Sequence, residues 1–228
     1  MTMNKNTLLD IYNKLYKFFG PQHWWPGDTP LEIIVGAILT QNTAWTNVEK
    51  AIANLKKARL LSSPEKINKS GRKALARLIR PAGYYNVKSK RLKNFINFLD
   101  SGYGLSLKRL GRQEIVKLKS ELMSVNGIGP ETCDSILLYA FKKPVFVIDA
   151  YTKRIFSRHG IFSESLSYDK VQEIFMRNLP SDERLYNEYH ALIVRLGKEL
   201  CRKKPDCGNC PLKEHLNHLK TGPYNNII

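Results

Sequence analysis

The chain has only four cysteines in 228 residues, and three of them, Cys201, Cys207 and Cys210, crowd into one short segment near the C-terminal end. That usage argues against a disulfide framework and suits the reducing cytoplasm. It lacks an 18-residue apolar run, a signal peptide and a long basic amphipathic tail, which gives no support to a membrane protein. It also lacks paired alternating strands, internal repeats and low-complexity linkers, so no sharp domain boundary is marked. Acidic residues are scarce: 20 Asp and Glu stand against 37 Lys and Arg, a net charge of +17. A surplus of that size favours a polyanionic partner through counterion release and steering, with an anionic membrane surface as the competing explanation. The 43% hydrophobic content is that of a folded globular protein, and the length allows one large domain or two small ones.

What is present is helical periodicity. Leu8, Ile11, Leu15 and Phe18 form an apolar stripe, interrupted by a loop over 21–30 that carries Trp24 and Trp25. Helices are predicted over 31–38, 48–58, 73–79, 88–99, 113–123 and 131–141. A short extended apolar run follows over 144–148. Asp149 then stands at an N-cap position before a helix over 150–158 that stops at Gly160, and helices over 171–176 and 183–200 complete the set.

The most informative segment is Val125-Asn126-Gly127-Ile128-Gly129-Pro130-Glu131, between two of these helices. Two glycines one residue apart let consecutive backbone N–H groups face an anion, and Pro130 suits the first position of the helix that follows. The helix N-terminus adds partial positive charge to such a site. A plain interhelical turn is the alternative for any isolated Gly-x-Gly.

These residues resemble the helix-hairpin-helix (HhH-GPD) DNA glycosylases of the endonuclease III superfamily. The hairpin falls on residues 125–130 and is followed by a Pro-containing loop at Pro144 and an essential aspartate at Asp149. A Gln-bearing helix end matches Leu39-Thr40-Gln41-Asn42-Thr43, a wedge loop matches Gly83-Tyr84-Tyr85-Asn86, and a cysteine loop matches residues 201–210. The resemblance implies an all-α fold of two helical lobes with a DNA cleft between them. One is a six-helix barrel lobe over 28–142 that contains the hairpin; the other combines 1–27 with 143–228. It implies double-stranded DNA with a damaged base as partner, Gln41, Asn42, Tyr84, Asn126, Gly127, Ile128 and Gly129 as DNA-binding residues, and a monomer.

Departures from the family pattern bear on reaction type. Where strand-cutting members carry a Schiff-base lysine, this chain has Glu131, and a carboxylate cannot form an imine. Where adenine glycosylases carry a glutamate, it has Gly36 and Ala37. Trp24-Trp25-Pro26-Gly27 and Trp45 look like the 3-methyladenine DNA glycosylase III branch, which makes Trp24, Trp25, Pro26 and Trp45 a candidate base pocket; an electron-poor methylated base would stack there with a cation–π gain of about 0.5–2 kcal/mol. The competing fate of a large aromatic is the core. Asp149 is the candidate catalytic carboxylate, able to stabilise positive charge on the sugar and to orient water, with a plain helix cap as its alternative role.

Many family members hold a [4Fe–4S] cluster on four cysteines. Here Cys201, Cys207 and Cys210 leave the fourth position to Leu216, with His215 as a substitute ligand or zinc as another metal. Loss of the metal, leaving a basic DNA-contacting loop, is the favoured reading. No cofactor is required for the chemistry. The expected function is a monofunctional base-excision DNA glycosylase on an alkylated purine such as 3-methyladenine. The alternatives are a bifunctional endonuclease III-like glycosylase and AP lyase acting on oxidised pyrimidines, and a non-catalytic DNA-binding protein.

Overall fold

The computed structural model describes residues 6–24 and 27–214. Their helices are α1 (Asn6–Phe19), α2 (Pro30–Thr40), α3 (Trp45–Lys57), α4 (Pro64–Lys69), α5 (Arg72–Leu78), α6 (Tyr85–Tyr103), α7 (Leu107–Gly111) and α8 (Ile115–Ser124), then α9 (Pro130–Ser135), α10 (Ala150–Arg158), α11 (Tyr168–Asn178) and α12 (Glu183–Glu199). Among the described residues there is no β-strand, and no helix is long and apolar enough to cross a membrane. The chain divides into two compact units, one of Met1–Trp24 with Pro144–Ile228 and the other of Trp25–Lys143.

The continuous unit is built around α2. Thr29 caps this helix by accepting from the Glu32 backbone N–H at 3.2 Å, and Pro30 takes its first position. Leu31, Ile33, Ile34, Val35, Ile38 and Leu39 are all buried, so α2 is apolar around its whole girth and must be enclosed on every side. Helices α3 and α6 enclose it, together with a π-helical turn, Ile136–Ala140, that prolongs α9. The sequence pattern predicts an unbroken helix over 131–141. The α-helical part ends at Ser135 because the next turn widens, and all five residues of that turn are buried. The short α4 and α7 lie between the longer helices visible in the sequence.

In the discontinuous unit α1 packs on α12, where Leu8, Ile11 and Leu15 are buried and the Tyr189 hydroxyl donates to Leu8 O at 2.8 Å. Phe18 departs from the predicted stripe. It is 54% exposed at the end of the helix and meets Phe19 edge-on. The core is aromatic: Phe146 stacks on Phe175 at 4.3 Å between centroids, and Tyr186, Tyr189 and Phe156 surround the pair. The run Val145–Ile148 is buried without a strand partner. Side chains satisfy its backbone instead, Gln172 Nε2 donating to Phe146 O at 2.6 Å and Ile148 N–H to the Tyr168 hydroxyl at 3.4 Å. This pinned segment delivers Asp149 to the start of α10.

Candidate functional site

In the continuous unit the hairpin joins α8 to α9. Ile128 N–H donates to Val125 O at 2.9 Å, and Pro130 is the first residue of α9, as its fixed φ suits. The two glycines serve different ends. Gly127 has φ +103°, and a Cβ there would lie 2.3 Å from Cγ of Arg91, so only glycine fits. Gly129 has an ordinary φ of −94° and a Cβ would meet nothing within 4 Å. Its bare backbone is exposed. Asn126 is exposed too, while the Ile128 side chain is buried, leaving that residue only its backbone to offer a ligand.

Gln41, the C-cap of α2, is tied to this hairpin. Its Nε2 donates to Gly127 O and to Thr132 Oγ1, each at 2.9 Å, and Arg91 donates to its Oε1. Asn94 adds a bond from Nδ2 to Asn126 O at 2.9 Å. Arg91, Asn94 and Thr132 are struts that the sequence does not announce, since each is an ordinary polar residue until the fold brings it to the hairpin. Asn42 follows with φ +52° and is exposed. Across the same unit Gly83 and Tyr84 also have positive φ, +66° and +43°, and the Tyr84 ring is displayed with the residue 73% exposed. A bulky residue in the left-handed region costs about 1–3 kcal/mol and persists only where its surroundings impose it.

In the discontinuous unit the Asp149 carboxylate divides its oxygens. Oδ1 caps α10, accepting from Thr152 N–H at 2.7 Å and from Thr152 Oγ1 at 2.8 Å. Oδ2 lies 3.6 Å from His190 Nε2, an ion-pair rather than a hydrogen-bond separation, with the two side chains 11% and 9% exposed. Burial, the largest single influence, disfavours the charged carboxylate, but His190 and Thr152 together outweigh it and hold Asp149 below the usual carboxylate range. The cap therefore consumes only half of the group. His190 is the functional candidate that the sequence reading lacked; its signal was a histidine on the apolar face of α12 beside Tyr186, Tyr189 and Ile193, all buried.

Trp24 and Trp45 are each half-buried, Trp24 in the discontinuous unit and Trp45 as the first residue of α3 in the other. Trp25 and Pro26 lie outside the described residues, as do His215 and Leu216. Glu131 is exposed, second in α9. Of the cysteine loop, Cys201 and Cys210 are buried and Cys207 is exposed. Two arginines of α10 hold this loop: Arg154 donates to Gly197 O and Cys201 O, each at 3.0 Å, and Arg158 donates to Arg202 O at 2.7 Å and to Cys201 Sγ at 3.5 Å. Three sulfurs do not complete an all-cysteine cluster, and among the described residues no group of three His, Cys, Asp or Glu side chains could hold a metal ion.

Residues 35–181 match the HhH-GPD superfamily of base excision DNA repair proteins. A Methanocaldococcus jannaschii protein named as a DNA repair glycosylase is 52% identical over 206 residues, covering 90% of this chain and 93% of that one. Endonuclease III of Thermotoga maritima is 28% identical over 187 residues, 82% of each chain. Among solved structures, H. pylori 3-methyladenine DNA glycosylase bound to 1,N6-ethenoadenine superposes with a TM-score of 0.74 at 28% identity, covering 86% of this chain and 98% of that one. A trapped endonuclease III–DNA covalent intermediate, at 21% identity, shares the fold with a TM-score of 0.79 over 96% of this chain and 100% of that one. A family match over more than half of the sequence and a relative 52% identical over 206 residues agree with the hairpin and the capped aspartate: the chain belongs to the HhH-GPD superfamily of base excision DNA repair proteins.

Proposed function

We propose that this DNA glycosylase is monofunctional, hydrolysing the N-glycosidic bond of an alkylated purine, of which 3-methyladenine is the type, after that base has been extruded from double-stranded DNA. The observation that carries the reading is the divided carboxylate of Asp149, one oxygen spent on the α10 cap and the other kept anionic beside His190. As the base departs, positive charge develops on the sugar. A fixed anion stabilises that charge without reorganising, and the same oxygen orients the water that adds to the sugar. The exposed backbone at Gly129 and the N-terminus of α9 supply a phosphate contact, while Asn42 and Tyr84 enter the duplex around the extruded base. Gln41 can join them only by exchanging its hairpin partners for DNA.

Hydrolysis without strand scission is supported by Glu131, which stands where strand-cutting relatives carry their amine. Two lysines with amines shifted below the ordinary range do not replace it. Lys88, lowered by burial to about 8, is 1% exposed and bonded to backbone carbonyls, and Lys93, also lowered by burial, donates to Ile67 O and Asn68 O at 2.9 and 2.7 Å. An alkylated purine is supported by the half-buried Trp24 and Trp45, since an electron-poor base gains most from an indole face. The ethenoadenine bound by the H. pylori relative points the same way.

The test is a panel of duplexes carrying 3-methyladenine, 7-methylguanine, 1,N6-ethenoadenine, thymine glycol or uracil. Release of the modified purines ahead of the pyrimidines is expected. Faster release of thymine glycol or uracil would overturn the substrate class.

A further inference from the structure

Lys88 is 1% exposed, and its hydrogen-bond partners are two backbone carbonyls and a hydroxyl: Nζ donates to Leu39 O at 2.8 Å, to Thr43 Oγ1 at 2.5 Å and to Ala82 O at 2.7 Å. An ammonium has three donors and no acceptor, so this set uses its capacity in full. Thr43 Oγ1 itself donates to Ala82 O at 2.6 Å, closing the arrangement. Leu39 O lies in the last turn of α2, where carbonyls lack helical donors and a positive group is favourable. Ala82 ends the 3-10 turn Arg80–Ala82. Burying an ammonium against neutral partners is expensive. The site thus asks for something that packing does not supply.

What Lys88 joins explains the expense. Its partners Leu39 and Thr43 bracket Gln41 and Asn42, and Ala82 immediately precedes Gly83 and Tyr84. Each turn carries a non-glycine residue in the left-handed region, Asn42 in one and Tyr84 in the other, and such conformations hold only when over-determined by their surroundings. Resting on the reading that these two turns contact DNA, we propose that Lys88 is a positioning residue that latches the Gln41–Asn42 turn to the Gly83–Tyr84 turn, so that both meet a disrupted base pair as one rigid piece. The latch sets preference for duplex with a missing or extruded base over intact duplex, and leaves general affinity to the surface cations.

Hydrogen exchange on the free full-length protein tests the latch directly. In Lys88→Met, amides over 40–44 and 82–86 should exchange at least tenfold faster together, with the second half of α6 unchanged. Binding of a tetrahydrofuran abasic-site duplex, relative to the same duplex intact, should fall at least fivefold, while affinity for intact duplex stays within twofold. Thr43→Val removes only the hydroxyl from the arrangement and should produce a smaller change of the same kind, which keeps the test open if Lys88→Met does not fold. Acceleration in one turn alone, or in neither, would overturn the latch, as would parallel loss of both DNA affinities in step with a lower melting temperature. A wild-type protein with no preference for the abasic duplex would instead overturn the DNA assignment of the turns, whatever the exchange shows.

Discussion

At Asp149 and His190 one buried pair sets the charge of the carboxylate that the proposed function puts to work. Removing the imidazole, as in His190→Gln, leaves burial as the dominant influence, so the carboxyl must rise from its depressed value. The acid limb of the excision profile should therefore move to higher pH in that variant; an unmoved limb would show that His190 does not tune Asp149. The stability linkage has the opposite footing. A carboxyl held below its ordinary value of 3.8 contributes stability that is present above that pH and is lost as the pH falls through the native value. Gly127 and Gly129 make a second contrast at this scale. Gly127→Ala must strain a φ of +103° and collide with Arg91, so it should lower the melting temperature and DNA affinity together. Gly129→Ala meets no protein atom within 4 Å and should melt like wild type, yet bind DNA more weakly, because a methyl group would stand at the proposed phosphate contact. Equal effects of the two substitutions in both assays would contradict this division.

The elements show which features a sequence can carry. Helix α2 was legible because its apolar residues run around the whole cylinder, and the cap of α10 because an aspartate preceded a clean helical period. Pro130 marked the start of α9 for the same local reason. The π-helical turn was not legible, since a widened turn keeps the same buried residues that an α-helical turn would bury. Neither was the ring of bonds from Lys88, Arg91 and Asn94 to distant partners, because a lysine or arginine in a helix reads as a solvated face until those partners arrive from elsewhere in the chain. The cysteine loop showed in the sequence its departure from the family's four-cysteine spacing, while the arginines of α10 that hold its backbone gave no signal. At the start of α3, Trp45 remains the residue whose role separates pocket from core. As a half-buried pocket ring, its replacement in Trp45→Ala should reduce excision of a cationic methylated base more than binding to undamaged DNA, with little change in melting. A core ring would instead cost about 3–5 kcal/mol of folding free energy and lower every activity together.

For the molecule as a whole, the net charge of +17 supplies affinity for DNA of any sequence, and specificity has to come from a few groups held in fixed geometry. On the proposed reading those groups belong to two separately packed units: the hairpin, the Gln41–Asn42 turn and the wedge loop to residues 25–143, and the anion to the start of α10. On the same reading the chemistry ends with the base released and the strand intact. The most direct test follows one turnover on a 1,N6-ethenoadenine duplex with wild type and with Asp149→Asn, counting free base, strand breaks before and after alkali, and borohydride-trapped adduct in the same samples. The side-chain amide of that variant would keep the oxygen that caps α10 and lose the charge, so folding should survive while base release slows by about 10²-fold or more. Wild type should release base in full, break the strand only after alkali and leave no adduct. Strand breaks without alkali accompanied by a trapped adduct, or near-normal release by Asp149→Asn, would contradict the account.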